Sequence, residues 1–487
     1  MGLLYYCRAL LRTGTPVALL EIDSPAHTFT AMVTLLRMYA EVDSLAALVR
    51  NTREVLSLII KLWVFEIWHT HLSTQLAEMF RDSYPPTSAG LLHFYLFTRR
   101  DPDSYSAMLD SALEGSLGRQ GIALVALEHI RRNTVACTQY QKIPVENMRT
   151  NLLNLTCLHS TPLHSLLLSQ NSVRIVTEAL VVITSAPFDS ANAETTADCV
   201  QQICEYLHKY IASDGLNSLN QSLEVGLLVG LLKAHPWLSV KKSAFDVFTA
   251  LLAAHVPRYF IYISVLRQVH KSIDIIQQLG LKDAMPEVCL EVWHAFEKYA
   301  GVRLNLASAA ELGLASCRGS ECSEPSSMRC SGCWEAAYCS KACQMAAWST
   351  HGAICTARMH GRQNGIPPDL GEEDIQFALR VAQHDFEENK AAICAKWTDD
   401  GKLPISAGID YSMFPPTVGI DPPSVVREQM SSDAAIYTIL PQGTTEKEYY
   451  MCDLGLTRGA GDPDDETIKV VIQMVGTQPV PAFFRVN

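Results

Sequence analysis

Seven of the fifteen cysteines in this chain fall between Cys317 and Cys355, and His351 sits among them. The run reads Cys317-x4-Cys322-x7-Cys330-x2-Cys333-x5-Cys339-x3-Cys343-x7-His351-x3-Cys355. Eight soft donors in four short-spaced pairs suffice for two tetrahedral zinc sites, because structural zinc takes four Cys or His ligands in a closed shell. So short a segment cannot bury enough apolar surface to fold alone. Each structural zinc supplies an apparent ~10–16 kcal/mol in small zinc peptides at neutral pH, which makes up the difference. His351 and Cys355 are four apart and share a face on a helix, and Cys339 and Cys343 repeat that spacing. Cys330 and Cys333 make a tight knuckle, Cys317 and Cys322 a looser one. Four protein ligands per ion leave no position open for water, so the expected ions are structural and not catalytic.

The second half of the run, Tyr338-Cys339-Ser340-Lys341-x-Cys343-Gln344-x3-Trp348-x2-His351-x3-Cys355, resembles the MYND-type zinc finger position by position. RING and PHD fingers also use eight ligands, but their histidine comes fourth or fifth, and here it comes seventh. The resemblance implies a cross-braced pairing, with Cys317, Cys322, Cys339 and Cys343 on one zinc ion and Cys330, Cys333, His351 and Cys355 on the other. The first knuckle departs from the commoner Cys-x2-Cys form. In members of the family that bind short proline-containing peptides, the positions of Gln344 and Trp348 line the groove. A tryptophan face suits proline rings, and a glutamine amide can pair with extended backbone. Such fingers are often found in transcriptional co-regulators, so the resemblance implies a regulatory role by analogy.

At 487 residues the chain exceeds what one hydrophobic core usually serves, so several folding units are expected. Residues 1–312 read as helix after helix. Ser24-Pro25, Asn51-Thr52 and Asp101-Pro102 look like helix starts. Leu266, Val269, Ile273 and Ile276 share a face, with Gly280 as the stop. Pro236 opens a segment bearing Phe245, Phe248 and Leu252, and Pro286 one bearing Val288, Val292, Phe296 and Tyr299. The fold class expected is mainly α: an armadillo/HEAT-like array, or else an irregular helical bundle, as scaffold. The two-zinc finger at 317–355 follows, then a polar linker at 356–370 containing Gly361, Gly365, Pro367 and Pro368. Residues 371–487 read as a small acidic α+β unit. A helix is expected from Glu372 to about Trp397, and strands at 434–440, 446–452, 468–475 and 480–486.

Charge and composition narrow the function. The net charge is −12, and residues 371–487 carry 19 acidic against 9 basic side chains. Within 317–355, Arg318, Arg329 and Lys341 balance Glu321, Glu324 and Glu335. A neutral finger on an acidic chain is poorly suited to nucleic acid, whose binding rests on Lys and Arg. No secretory signal opens the chain, and the most hydrophobic run, Leu56–Ile67, is interrupted by Lys61 and Glu66, so no membrane association is expected. Cys7, Cys137, Cys157, Cys199, Cys204, Cys289, Cys394 and Cys452 lie scattered in apolar surroundings, as small core residues do in a reducing, intracellular compartment.

Enzyme signals are weak. MYND fingers also occur within SET-type lysine methyltransferases, but the chain has no Asn-His dipeptide, and Gly371-Glu372-Glu373 falls too soon after Cys355. Asp462, Asp464, Asp465 and Glu466 lack the spacing of a calcium loop. His255, His270 and His294 lie in helical segments and read as packing residues. The expectation is an intracellular adaptor that binds protein partners and is not an enzyme. The alternative is an enzyme with its active site in the C-terminal unit or in a helical cleft.

Overall fold

Apolar residues at helical spacing fill the first 312 residues, and the described part of that region is helical. The computed structural model describes residues 25–69, 72, 75–76, 87–97, 118–139, 145–158, 163–312, most of 317–363, 372–400, 406–411 and 414–419. It also describes 448–454, 469–474 and 482–484. In chain order the helices are α1 Pro25–Ala40, α2 Asp43–Asn51, α3 Arg53–Trp68, α4 Ser88–Leu92, α5 Gly118–Gln139, α6 Val145–Leu158, α7 His164–Ser169, α8 Ser172–Ser185 and α9 Ala193–Asp214. There follow α10 Leu216–Glu224, α11 Leu227–Lys233, α12 His235–Leu238, α13 Lys242–Ala250, α14 Ile263–Gln278, α15 Glu287–Leu304 and α16 Ala309–Leu312. The starts expected at Pro25 and Thr52 are present, whereas Asp101-Pro102 lies outside the described residues. Among the described residues, no helix is long and apolar enough to cross a membrane.

The chain forms two compact units, Met1–Tyr206 with Pro236–Ala244, and Leu207–His235 with Phe245–Asn487. The division falls inside the helical region and not after residue 312. In the first unit, α3 buries nine of its sixteen residues, and Glu66, one of the charges that interrupt it, has a structural use. Glu66 accepts a bond from the Ser88 N–H at 2.9 Å and so caps α4 from another helix. Arg132 on α5 donates to the Glu66 and Ile67 carbonyls at 3.3 and 2.5 Å, satisfying the end of α3. His129 stacks on Trp63 with centroids 5.0 Å apart and bonds its carbonyl at 3.0 Å. Burial drives the pKa of His129 down to about 3.

In the second unit the α14 face is largely as expected, with Leu266, Val269 and Ile276 buried, Ile273 half-buried and Gly280 at φ +61 after its end. On the face expected on α15, Phe296 is buried as expected, and the stripe is displaced by one residue on either side of it. Val288 is 52% exposed, and the buried stripe is Cys289, Trp293, Phe296, Ala300 and Arg303. The reason is tertiary: Trp293 stacks on Phe296, and Arg303 meets a partner from α19 (Glu372–Asp400), which lies beyond the cysteine-rich segment.

That partner is Asp385. Arg303 donates Nη1 and Nη2 to its two carboxylate oxygens at 2.5 and 2.7 Å, and Tyr411 Oη donates to it at 2.7 Å. Tyr299 accepts from Arg303 Nη2 at 2.8 Å and packs on Phe414 at 4.5 Å between centroids. Asp374, also on α19, accepts the Ser264 N–H at 2.8 Å and caps α14. The C-terminal part is thereby joined to the helices around α14 and α15 by buried polar contacts.

The cysteine-rich segment contains β1 Met328–Arg329, β2 Ala337–Tyr338, α17 Lys341–Ala346 and α18 Trp348–Gln363. Helix α18 overturns part of the expected linker, because 356–363 is helical. One glycine in a helix costs only ~1 kcal/mol, so Gly361 does not stop it. Residues 364–370 lie outside the described residues. The C-terminal sheet has five strands, β3 Ser406–Asp410, β4 Thr417–Gly419, β5 Glu448–Leu454, β6 Lys469–Met474 and β7 Ala482–Phe484, in the order β4-β3-β6-β5-β7. β3–β6 and β5–β7 are parallel, the other two pairings antiparallel. The last three strands match expected positions, β3 and β4 were not anticipated, and 434–440 lies outside the described residues.

Candidate metal centre

The eight donors converge in two groups of four. Cys317, Cys322, Cys339 and Cys343 form one and Cys330, Cys333, His351 and Cys355 the other, each with all donor atoms within 4.8 Å of one another. This is the cross-braced arrangement, in which the ligand pairs alternate between sites. The β1–β2 ribbon produces it by pairing Met328 with Tyr338 and Arg329 with Ala337, which sets the Cys330 knuckle at the turn of the ribbon and Cys339 at its open end. The Cys330 N–H donates to the Ala336 carbonyl at 2.8 Å and closes the knuckle.

The helices position the remaining donors. Ser340 precedes α17, and its hydroxyl accepts the Cys343 N–H at 3.2 Å, an N-cap that orients a ligand-bearing first turn. Cys339 therefore precedes the helix and does not share a helical face with Cys343, as its spacing had implied. His351 and Cys355 do lie one turn apart on α18. Two glycines admit the sulfurs. A Cβ on Gly332 would lie 2.7 Å from Cys355 Sγ, and one on Gly319 only 3.1 Å from Cys343 Cβ.

Separations within each group suit metal ligation and not disulfides. Cys322–Cys339 and Cys330–Cys355 have sulfurs 3.6 Å apart, Cys339–Cys343 3.4 Å, and Cys333 Sγ lies 3.5 Å from His351 Nε2. Two sulfurs at ~2.3 Å from a tetrahedral zinc would be about 3.8 Å apart, whereas a disulfide is about 2.0 Å. The thiols also divide in acidity. Burial opposes ionisation of Cys330, but the N–H groups of Cys333 and Gly332 and the His351 ring outweigh it and hold its pKa near 6. Burial and the neighbouring Cys330 sulfur push Cys355 up to about 12. The Cys339 N–H leads in holding Cys317 at about 7, while Cys339 itself, its thiol proton engaged by Cys343, rises to about 12. Sulfurs this close resist joint ionisation unless a cation lies among them. The donor set fits a soft, tetrahedral cation.

The rest of the segment has little core. Among its described residues the buried non-ligand side chains are Ser326, Ala336, Ala337, Tyr338 and Ala347, and Tyr338 meets the His351 ring edge-on at 6.0 Å. Residues 315–355 match the family model described as MYND finger. This segment is a MYND finger. No curated protein and no solved structure matches the chain.

Around the two donor groups the MYND finger presents Gln344, half-buried, and Trp348, 50% exposed. They lie four apart along an almost continuous helical path, since Ala347 between α17 and α18 is itself right-handed. The indole lies over Gly352, where an added Cβ would meet Trp348 Nε1 at 3.2 Å, and packs edge-on to His351 at 5.8 Å. Trp348 is thus fixed on one side and open on the other. Met345 beside it is exposed as well.

A third group of possible donors, His384, Asp385 and Glu388, is not a metal centre of this kind. Both Asp385 oxygens are committed to Arg303, whose charge opposes a cation there. Reasoning from sequence missed Gly319, Gly332 and Gly352. Their position among the ligands was the available signal for close approach, but spacing rules for ligands do not price the residues between them.

Proposed function

We propose that this chain is an intracellular adaptor whose MYND finger, built on two structural zinc ions, binds short proline-containing peptides of protein partners. Zinc is the ion best suited to seven thiols and one imidazole in two closed groups. Its helices act as a scaffold in an armadillo/HEAT-like array, and the chain has no catalytic role. The observation that carries this reading is Trp348, held over Gly352 with half its surface open and Gln344 one turn away. A side chain needed only for packing a core this small would be covered. An immobilised indole offers a flat apolar platform at low entropic cost, which suits a proline ring.

The test is a set of proline-containing peptides titrated calorimetrically against the full chain, after metal analysis has returned two zinc ions per chain. Trp348→Ala is expected to weaken every peptide that binds by about 30-fold, the ~2 kcal/mol of an aromatic anchor, while keeping both ions. Peptides that bind wild type and Trp348→Ala equally would sink the reading. One zinc ion or none would overturn the ligand assignment.

A further inference from the structure

The MYND finger is tied to the helices at its base and again at its tip. At the base, Arg267 on α14 grips the chain on both sides of the finger. Its Nε donates to the Glu311 carbonyl at 2.5 Å, and Nη2 pairs with the Glu373 carboxylate at 2.7 Å. Glu311 and Arg380 close the same junction as an ion pair between α16 and α19. At the tip, Arg329 on β1 immediately precedes Cys330, a ligand of the second donor group, and its guanidinium pairs with Glu224 at the end of α10. Both side chains are largely covered, at 20% and 18% exposure.

Helix α10 is an unusual neighbour. Every residue from Leu216 to Leu223 is buried, including Asn217, Ser218, Asn220, Gln221 and Ser222. Polar side chains so placed hold a helix only while their surroundings stay fixed. From Glu224 the contacts continue inward: Asn220 Nδ2 donates to Ser264 Oγ at 3.1 Å, and the Ser264 N–H donates to Asp374 at 2.8 Å. A route of charged and hydrogen-bonded groups therefore leads from the Cys330 knuckle through α10 and α14 to α19.

We infer that metal loading of the Cys330–Cys333–His351–Cys355 site is thermodynamically coupled to the order of α10 through the Arg329–Glu224 pair, so that the helical unit responds to the metal state of the finger. The knuckle sets the β1–β2 ribbon, and the ribbon aims Arg329. Without a cation the four donors separate, Arg329 loses its fixed origin, and Glu224 is left in a covered place without it. Coupling is reciprocal: loss of the pair loosens the metal by the factor by which loss of the metal loosens α10.

The inference rests on the zinc reading above, and the experiment separates the two. Zinc-loaded full chain is challenged with a chromogenic chelator while cysteine alkylation, mapped by mass spectrometry, reports which site opens. Glu224→Gln is expected to weaken zinc at the Cys330–Cys333–His351–Cys355 site about fivefold in equilibrium competition with the chelator, the low end for coupled sites, with Cys330, Cys333 and Cys355 alkylated sooner. Cys317, Cys322, Cys339 and Cys343 should keep wild-type kinetics. Lys282→Met, which breaks the Lys282–Glu297 pair elsewhere in this unit, should leave both sites unchanged. In wild type, stripping zinc should raise amide exchange across 216–224 by a similar factor. Unaltered zinc affinity in Glu224→Gln, or unaltered exchange in α10 after stripping, overturns the coupling. If Glu224→Gln does not fold, the wild-type exchange measurement decides. A chain that holds no zinc before chelation fails the metal reading, and the coupling with it.

Discussion

Replacing Asp385 with alanine tests how the C-terminal part is held. Arg303 is only 3% exposed, and its guanidinium is matched by both Asp385 oxygens. Removing one partner of a buried ion pair costs ~3–5 kcal/mol, because the remaining charge stays desolvated. Asp385→Ala also strips the Tyr411 hydroxyl of its acceptor. Tyr411→Phe alone should cost ~1.5–3 kcal/mol, the worth of a hydrogen bond to a charged group. In the Asp385→Ala background the same change should cost almost nothing, so the double-mutant cycle should return a coupling of about 1.5 kcal/mol or more. The assay is urea unfolding read by pulsed hydrogen exchange, which follows peptides of each compact unit separately. With a slope near ~2 kcal/mol per M, the transition of peptides in α15 and α19 should fall by about 2 M in Asp385→Ala. A loss below ~1 kcal/mol, or additive costs in the cycle, would refute the buried-network argument.

Two further perturbations address other parts of the chain. Gly332→Ala should remove about one zinc ion per chain by mass spectrometry, since a Cβ 2.7 Å from Cys355 Sγ cannot coexist with a fixed ligand, while the first site keeps its ion; full occupancy of both would contradict that packing. His129 should make the first unit acid-sensitive. Its pKa is lowered to about 3 by burial against an unfolded value near 6.5, so its contribution is complete above pH 6.5 and is lost as pH falls. Between pH 6.5 and 5 the loss should approach ~2 kcal/mol, and His129→Gln should flatten the slope by that amount in the same urea assay; equal slopes in the two proteins would show that the imidazole is not held neutral.

The finger was legible because metal ligation is local. Eight donors at restricted spacings admit few pairings, and the two groups formed as the resemblance implied. Helices were legible where one apolar stripe decides burial, as on α14. On α15 the stripe turned by one residue because Arg303 answers to Asp385, a partner on a helix beyond the finger that no window of sequence contains. Glu66 and Lys61 read as interruptions of an apolar run, yet Glu66 is the cap of another helix. Ser406-Ala-Gly-Ile-Asp and Thr417-Val-Gly carry too few β-branched or aromatic residues to announce strands. β3 extends because β6, distant in sequence, supplies one side of its ladder, and β4 pairs only with β3, so neither leaves a periodic trace.

The parallel pairing of β3 with β6 has a consequence for how the protein is made. A ribosome delivers β3 and its antiparallel neighbour β4 well before β6 emerges, so for that interval one side of β3 has an unfilled row of backbone donors and acceptors. During those seconds the finger is already outside and its ligands are all present. A messenger truncated between the codons for residues 420 and 468 would therefore yield a chain with every metal ligand in place and a permanently open strand edge. Such a product would hold metal as the full-length protein does and aggregate unlike it.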